Sequence, residues 1–355
     1  MSSVPSSATP GGAGHAAFLE RRHFACLDGL RALSILAVIW HHCAPAWAGP
    51  ALAHLGNHGV TLFFAISGFL ITTLLLRERS RHGRIDLRAF YWRRALRIFP
   101  LYYAVLGLYL VLVLLLERSS EPGQAFLRNL PYFATYTSNL FVPLEERTIF
   151  YFSWSLATEE QFYLLWPPLL CLLGAGARAT WLLVGVAIAS LLGQLTGQKF
   201  LAGIPLAIVA GSLMAILLNH PRAHAVVAAP LARPWAPYAV LVLLSPALFW
   251  EETPTVAIHL LLTLLVGCCV VSEGHPLARL LRLRPLVFLG SISYGMYLLH
   301  MLCKNGAMKL LAVAQLPGDG LLPFILTTSL AVALAAASFR WFETPFLALK
   351  QRHLR

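Results

Sequence analysis

The sequence predicts an all-α polytopic membrane protein with about ten transmembrane helices and both termini in the cytoplasm. Its composition is the first reason. Of the 355 residues, 58% are hydrophobic and only 12% are charged, whereas about a quarter of the residues in a soluble domain are charged. The second reason is a series of apolar runs that are long enough to cross a bilayer as helices. The third is the distribution of Lys and Arg along the chain, which sets the orientation.

The predicted spans follow one another from residue 27 to residue 342. In chain order they are Leu27–Ala48, Gly56–Leu76, Ile98–Leu116, Ser155–Gly174, Thr180–Leu195, Phe200–Leu218, Ala236–Trp250, Pro254–Ser272, Leu286–Ala307 and Leu321–Phe342. With a cytoplasmic N-terminus, the inside connections hold 20 Lys and Arg residues and the outside connections hold six. Cytoplasmic connections of membrane proteins are enriched in these residues, so the count places both termini inside.

The formal net charge of +12 invites comparison with nucleic-acid-binding proteins. The basic residues, however, lie mostly in the connections on one side of the predicted membrane, so the positive charge follows from topology. We therefore expect membrane lipids, and no nucleic acid, among the partners. The six cysteines form no CxxC pair and lie mostly in apolar segments, which is typical of small hydrophobic residues and predicts no metal site.

Composition also divides the chain into three regions. Residues 1–19 are rich in Ser, Pro, Gly and Ala and have no apolar core, which predicts a disordered N-terminal tail rather than a signal peptide. Residues 20–347 are expected to form a single transmembrane domain without internal repeats. Residues 348–355 form a short basic C-terminal tail.

The first span, LDGLRALSILAVIWHHC, contains Arg31 near one end and His41 and His42 near the other. Ionisable residues inside a span are costly and usually mark a function. Arg31 and His42 are eleven residues apart, so they share one helix face about 16 Å apart along the axis. The alternative interpretation is an arginine that anchors the span at the membrane surface and a histidine that makes an interhelical contact.

The second span contains Ser67 and Gly68 within FFAISGFLI. Small residues of this kind let transmembrane helices approach closely, which is the interpretation favoured for both. Ser67 is also a candidate for a residue that lines a substrate channel.

The segment from Arg77 to Arg97 holds eight arginines and ends in FYWRRALRIFPLYY. One interpretation is an interfacial basic helix that contacts anionic lipid headgroups. The other is a phosphate clamp, because Arg94 and Arg97 are three residues apart and share a helix face. Guanidinium groups bind phosphate in a two-point geometry.

Two further spans carry polar side chains. Within SWSLATEEQFY, Glu159 and Tyr163 are four residues apart and share a face, while Glu160 is interpreted as a helix-dipole partner. Glu159 is a candidate partner for a histidine, since a carboxylate at membrane depth needs one. In the ninth span one face carries Ser293, Tyr297 and His300, which predicts either a channel wall or interhelical hydrogen bonds.

These stretches resemble the membrane-bound acyltransferase 3 family, whose members acylate surface glycans, lipopolysaccharide O-antigens and some macrolides. The resemblance extends from Leu27 to about Phe346. It depends on the first-span stretch with its Arg-x10-His spacing and on five shorter stretches in the expected order, which are FFAISGFLI, RRALRIFPLYY, WSLATEEQFY, SYGMYLLH and WFETPF.

The resemblance implies a ten-helix enzyme of the bacterial cytoplasmic (inner) membrane, with no bound cofactor. It takes an acyl group, commonly acetyl, from acyl-coenzyme A on the cytoplasmic side. The family's essential histidine falls on His42, its arginine on Arg31, its Arg-x-x-Arg pair on Arg94 and Arg97, and its glutamate on Glu159. His41 stands where an aromatic or apolar residue is more usual, so the choice of His42 depends on spacing. A hydrolase-like domain that some members carry has no counterpart here, which implies a version that completes transfer by itself.

We therefore expect transfer of an acyl group to a hydroxyl of a carbohydrate or glycosylated small molecule. His42 is the expected general base, because imidazole titrates near neutrality, and Glu159 orients it. The arginines Arg31, Arg94 and Arg97 hold the phosphates of the donor. The candidates for the substrate channel are Ser67, Tyr163, Ser293, Tyr297 and His300.

Two alternatives stay open at this stage. One is a transporter or flippase for a glycan or lipid, although paired repeats typical of transporters are not evident. The other is a covalent acyl intermediate, on a histidine or on Ser67, in place of direct transfer. The acceptor, the acyl length, the side of modification and the oligomeric state are not encoded in any motif that we identify.

Overall fold

The computed structural model describes residues 10–352 except 22, 144–147, 199–200, 202 and 251–252. All regular elements in this part of the chain are helical. The longer helices, numbered in chain order, are α1 (Pro10–Glu20), α2 (Ala25–Cys43), α3 (Asn57–His82), α4 (Leu87–Leu112), α5 (Glu121–Ala134), α6 (Trp154–Leu173), α7 (Ala177–Thr196), α8 (Leu206–Asn219), α9 (Pro221–Leu231), α10 (Ala236–Phe249), α11 (Thr255–Val271), α12 (Arg284–Ser291), α13 (Ser293–Val313), α14 (Leu322–Ser338) and α15 (Thr344–Arg352). Shorter helical segments are Ala46–Ala48, Gly49–His54, Ser138–Phe141, Tyr151–Ser153 and Pro276–Leu281, and Val113–Glu117 and Phe339–Glu343 are π-helical.

The helices that are long and apolar enough to cross a membrane number four among the described residues, or seven if each bent helix pair forms one span. The four are α3, Leu87–Glu117, α7 and Leu322–Leu349, and the bent pairs join parts of α1 and α2, α8 and α9, and α12 and α13. The chain therefore has the helices of a multi-pass membrane protein.

Each of the ten predicted segments overlaps a helix among the described residues, but the count of ten spans is not reproduced. Helices α10 and α11 have 14 and 17 residues, which corresponds to about 21 and 26 Å, short of a hydrocarbon core of about 30 Å. Helix α6 has 20 residues but begins with a polar stretch that includes Glu159 and Glu160. The cytoplasmic placement of the termini stays a prediction.

The disordered tail expected for residues 1–19 stays a prediction, and residues 1–9 of it lie outside the described residues. From Pro10 the chain forms α1, and Phe18 is only 3% exposed. The ring of Phe18 lies 5.9 Å from that of Phe24 and 5.6 Å from that of His224. Arg77 also donates a 2.9 Å hydrogen bond to the Phe18 carbonyl. These contacts come from distant parts of the sequence, so local composition does not reveal them. The expected C-terminal tail, 348–355, begins within α15.

The described residues form two compact units. Unit 1 lies within Met1–Ser34, Pro50–Ile85 and Leu170–Ser291, and unit 2 lies within Ile35–Gly49, Asp86–Leu169 and Ile292–Arg355. The prediction of one domain over residues 20–347 stays a prediction.

Unit 1 is built around the close packing of α3 against α8. A Cβ atom at Gly68 would lie 2.1 Å from the Ile208 carbonyl oxygen, and one at Gly211 would lie 2.2 Å from the Ala65 carbonyl oxygen. Side chains are therefore excluded at both contact points, and the two backbones touch. The hydroxyl of Ser212 donates to the Gly68 carbonyl over 3.3 Å. The predicted role of Gly68 in close helix packing is confirmed.

The arginine-rich segment 77–97 does not form a separate interfacial helix. Helix α3 continues through it to His82 and ends at Gly83, which has a positive φ of 72°. Helix α4 begins at Leu87, where the Asp86 carboxylate accepts a 2.9 Å hydrogen bond from the Ala89 amide and caps the helix. The arginines therefore lie mainly on the ends of two long helices, since residues 77–82 contain no Gly or Pro that would end α3 before Gly83.

Unit 2 contains an aromatic cluster formed by α4 and by residues 117–152, which connect α4 to α6 and of which 144–147 lie outside the described residues. The Tyr102 hydroxyl donates a 2.7 Å hydrogen bond to the Phe133 carbonyl, and its ring stacks on Tyr136 at 4.2 Å. Burial raises the pKa of the Tyr136 hydroxyl, so this phenol stays neutral. Phe150 is buried and packs against both Phe133 and Phe152. The cluster anchors the turn that leads into α6.

Candidate active site

His42 lies near the C-terminal end of α2, in unit 2, and its side chain is half-buried. Its Nδ1 atom is 3.4 Å from the hydroxyl oxygen of Tyr151, and the two rings meet edge-to-face at 6.2 Å. The turn before α6 positions Tyr151: Phe150 adopts a left-handed conformation with φ of 69°, and the Tyr151 amide donates to the Thr148 carbonyl over 2.9 Å. The structure therefore brings a tyrosine hydroxyl to one nitrogen of the predicted base.

A second histidine lies beside the first. The His300 ring is fully buried, and its centroid is 5.0 Å from that of His42. Its Nδ1 atom is 2.5 Å from the Tyr297 carbonyl oxygen. Because a carbonyl only accepts hydrogen bonds, Nδ1 carries the proton of the neutral ring, and Nε2 is then an acceptor. This Nε2 atom is buried and has no hydrogen-bond partner among the described residues.

The polar face predicted on α13 makes interhelical hydrogen bonds, one of the two expected arrangements. The Tyr297 hydroxyl donates to the Phe152 carbonyl over 2.9 Å and is 2.6 Å from the Ser155 hydroxyl at the start of α6. His300 continues this face one turn further along. Ser293, at the start of α13, is buried. Tyr297 thus ties the helix that carries His300 to the turn that carries Tyr151.

Glu159 is half-buried on α6, one turn beyond Ser155. Glu159 lies within electrostatic range of Tyr297 and of the neighbouring Glu160. Tyr297 is also within electrostatic range of Tyr151, the partner of the predicted base. The predicted carboxylate therefore belongs to the same unit and lies within electrostatic range of the same tyrosine. Direct orientation of His42 by Glu159 stays a prediction.

The arginines of the predicted phosphate clamp occupy different surroundings. The Arg94 guanidinium lies 5.2 Å above the ring of Tyr163 and is within electrostatic range of Glu160. Tyr163, predicted to line a channel, is buried and makes this cation–π contact. Arg97 is exposed and acts electrostatically on Glu343 in the π-helical segment.

Two predicted residues belong to unit 1. Arg31 forms an ion pair with Asp28, with 3.3 Å between the nitrogen and oxygen atoms, and Asp28 is also 3.0 Å from His23. The pairing with Asp28 offsets part of the positive charge that the donor-binding prediction assigned to Arg31. Ser67 is half-buried on α3.

Tyr151 is the residue that sequence reasoning missed. It lies in an aromatic stretch, FYFSW, 109 positions after His42, and no local pattern distinguishes it from its neighbours. The structure also differentiates the adjacent histidines. His41 and His42 have ring centroids 5.0 Å apart, and the Tyr151 hydroxyl contacts His42, the residue that spacing had selected.

Comparison with known proteins gives the family. An acyltransferase domain family matches residues 24–340. The peptidoglycan O-acetyltransferase OatA of Listeria monocytogenes is 27% identical over 372 residues, which cover 92% of this chain and 56% of the relative. The O-acetyltransferase OatA of Staphylococcus aureus is 28% identical over 367 residues, covering 91% and 57%. The chain thus spans somewhat more than half the length of these relatives, and no solved structure matches it. Since the family match covers most of the chain, the protein belongs to this family of membrane acyltransferases.

Proposed function

We propose that this protein transfers an acetyl group from acetyl-coenzyme A to a hydroxyl group of a glycan or glycosylated small molecule, with His42 as the general base. Family membership supports an acyltransferase over the transporter that composition alone left open. The names of the two relatives support acetyl as the group and oxygen as its acceptor, and one of them names peptidoglycan. The bacterial cytoplasmic membrane is the proposed location.

The contact between His42 and Tyr151 is the observation that carries the proposal. A neutral imidazole can act as a base through only one nitrogen, because the other carries the proton. If the Nδ1–H of His42 donates to the Tyr151 oxygen, 3.4 Å away, the lone pair of Nε2 is the basic one. The tyrosine oxygen also accepts from Nδ1–H after His42 has taken up a second proton. The same hydrogen bond is therefore compatible with the neutral imidazole before proton transfer and with the imidazolium after it.

The proposed transfer proceeds in two steps. The acceptor hydroxyl attacks the thioester carbonyl while His42 Nε2 removes its proton, which forms the new carbon–oxygen bond. The tetrahedral intermediate then expels the thiolate of coenzyme A, and the imidazolium returns the proton to the thiolate sulfur. The products are an acetyl ester and free coenzyme A, and the enzyme is regenerated.

Other residues of the site are proposed to support these steps. The negative charge of Glu159, which acts on the tyrosine network around Tyr297, favours the imidazolium that forms at His42. His300, whose ring centroid lies 5.0 Å from that of His42, is proposed to hold the His42 ring in position. Arg94 and Arg97 are proposed to bind the donor phosphates, and Arg31 is retained in this role as a prediction.

The test compares His42→Ala with His41→Ala, which removes the same side chain at the adjacent position of α2. Membranes carrying each variant are incubated with labelled acetyl-coenzyme A and a glycan acceptor, and the esterified product is measured. We expect His42→Ala to lose about 10²- to 10⁴-fold in rate, the usual contribution of a general base. His41→Ala should retain most of the activity. Near-normal turnover by His42→Ala, or equal losses in both variants, would contradict the assignment.

A further inference from the structure

Tyr297 is a buried residue of α13 in unit 2, and it forms hydrogen bonds at both ends. Its hydroxyl donates to the backbone of the turn that carries Tyr151, and its own carbonyl accepts from the ring of His300. Tyr151 and His300 both lie beside His42, with ring centroids 6.2 and 5.0 Å away. Tyr297 is therefore connected to two neighbours of the predicted base, directly to His300 and through the turn to Tyr151.

The hydroxyl end of Tyr297 fixes the short turn before α6. The hydroxyl donates to the Phe152 carbonyl over 2.9 Å. Because this bond uses the only proton of the phenol, its oxygen accepts from the Ser155 hydroxyl, 2.6 Å away. Phe152 directly follows Tyr151 in the three-residue 3₁₀ segment Tyr151–Ser153. Segments of this kind have poor internal hydrogen-bond geometry, so the position of the Tyr151 ring depends in part on contacts from other helices.

The backbone end of Tyr297 fixes the ring of His300, which lies three residues further along α13. The Tyr297 carbonyl oxygen is 2.5 Å from His300 Nδ1. The His300 ring also meets the Phe152 ring edge-to-face at 5.1 Å between centroids. Phe152 thus contacts both residues, Tyr297 through its carbonyl and His300 through its ring. A displacement of the turn would therefore also move the surface against which His300 packs.

The contact that these residues support has little geometric tolerance. The Tyr151 oxygen lies 3.4 Å from His42 Nδ1, whereas hydrogen bonds from nitrogen to oxygen usually span about 2.7–3.2 Å. A further displacement of the turn by roughly 0.2 Å would leave no hydrogen bond. The Tyr151 side chain must therefore be held in place by something other than its own bond to His42.

We propose that Tyr297 is a positioning residue for acyl transfer, which holds Tyr151 and His300 where they orient the imidazole of His42. The inference rests on the proposed function, because it takes His42 as the general base. It gives Tyr297 a role different from the predicted lining of a substrate channel, since its hydroxyl and its carbonyl both bind protein groups. Tyr297 itself takes no part in proton transfer.

The test variant is Tyr297→Phe, which removes the hydroxyl and keeps the ring and the carbonyl that binds His300. Tyr294→Phe is the matched control, because Tyr294 lies one turn earlier on α13 and its hydroxyl donates to the Ile98 carbonyl over 2.8 Å. Each variant removes one phenol–carbonyl hydrogen bond between α13 and another element of unit 2. We therefore expect the melting temperatures of the two variants to fall by similar amounts, whereas only Tyr297→Phe should change catalysis.

The assay determines kcat and the KM for acetyl-coenzyme A with the purified full-length protein. We expect Tyr297→Phe to lower kcat about fivefold, the effect of losing one neutral hydrogen bond in the transition state. The donor KM should stay unchanged, because Tyr297 does not contact the donor in this proposal. Tyr294→Phe should leave kcat unchanged.

A double-mutant cycle with Tyr151→Phe shows whether the Tyr297 hydroxyl acts through Tyr151. If it does, the double variant should retain most of the kcat of Tyr151→Phe alone, because the turn then has no Tyr151 hydroxyl to position. Additive losses, about 25-fold in total for two independent hydrogen bonds, would show that the Tyr297 hydroxyl acts elsewhere. A tyrosine that only stabilised the fold would not give a non-additive fall in kcat.

An unchanged kcat in Tyr297→Phe, an equal loss in Tyr294→Phe, or additive losses in the cycle would overturn the proposal. If Tyr297→Phe is too unstable to assay, Ser155→Ala, which removes the second partner of the same hydroxyl, takes its place under the same criteria. His42→Ala separates the two proposals. Loss of transfer in His42→Ala with a normal kcat in Tyr297→Phe overturns only the positioning role, whereas near-normal transfer in His42→Ala overturns both.

Discussion

The contact of the Tyr151 hydroxyl with His42 gives the most direct prediction. Tyr151→Phe removes one oxygen atom and keeps the ring, so the edge-to-face packing of the two rings at 6.2 Å is retained. A neutral hydrogen bond contributes about 0.5–1.5 kcal/mol, and 3.4 Å is long for such a bond. Taking about 1 kcal/mol and a factor of ten in rate for each ~1.4 kcal/mol, kcat should fall about fivefold.

The assay determines kcat and KM for acetyl-coenzyme A with the purified protein. The matched control is Tyr103→Phe, which also removes a tyrosine hydroxyl from unit 2. The Tyr103 hydroxyl donates to the Ala134 carbonyl over 2.9 Å and is exposed. We expect Tyr151→Phe to lower kcat and leave the donor KM and the melting temperature unchanged. The control should leave kcat unchanged.

A tyrosine that only fills space beside His42 would give another result. In that case kcat would be the same in the wild type and in Tyr151→Phe. An unchanged kcat, or a fall that Tyr103→Phe reproduces, would refute the argument that this hydroxyl selects the basic nitrogen of His42.

Three further predictions concern the donor site, the carboxylate and the packing of unit 1. Arg94→Ala should raise the KM for acetyl-coenzyme A about tenfold with little change in kcat, since it removes a charge-assisted contact; an unchanged KM would return Arg94 to a lipid-contact role. Glu159→Gln should lower kcat on the order of tenfold, and full activity would exclude an electrostatic role. Gly68→Ala should destabilise the protein by about 1–3 kcal/mol because its Cβ meets the Ile208 carbonyl. Gly107→Ala, where a Cβ meets no atom within 4 Å, should be neutral or stabilising, and a melting temperature equally low in both would contradict the packing argument.

Several features of the site were predictable because they depend on local periodicity. Tyr297 and His300 were placed on one polar face by counting residues along a helix, and the structure has them on adjoining turns of α13. Gly68 was recognised as a helix contact from its size alone. The partners of these residues were not predictable, since the Phe152 carbonyl and the Ile208 carbonyl lie more than a hundred positions away in the sequence.

Other contacts were not predicted, for a physical reason. The ion-pair partner of Arg31 is Asp28, one turn earlier on the same helix, while the role of Arg31 in donor binding stays a prediction. Spacing shows which residues share a face, but it does not show which contact has the lower free energy. The predicted number of spans, ten, differs from the four to seven found among the described residues. Helix ends and bends, such as the 112° bend between α8 and α9, depend on packing and are not visible in hydropathy.

The sequence by itself determined that this is a multi-pass membrane protein and a member of an acyltransferase family, because hydropathy, helical periodicity and ordered motifs are properties of short stretches. Only the tertiary structure decided that Tyr151 meets His42, that His300 lies beside it, and that Tyr297 meets Ser155. These contacts join side chains that are far apart in the chain. They form only when the helices pack. That packing depends on the side chains of whole helix faces, so no single motif specifies these contacts.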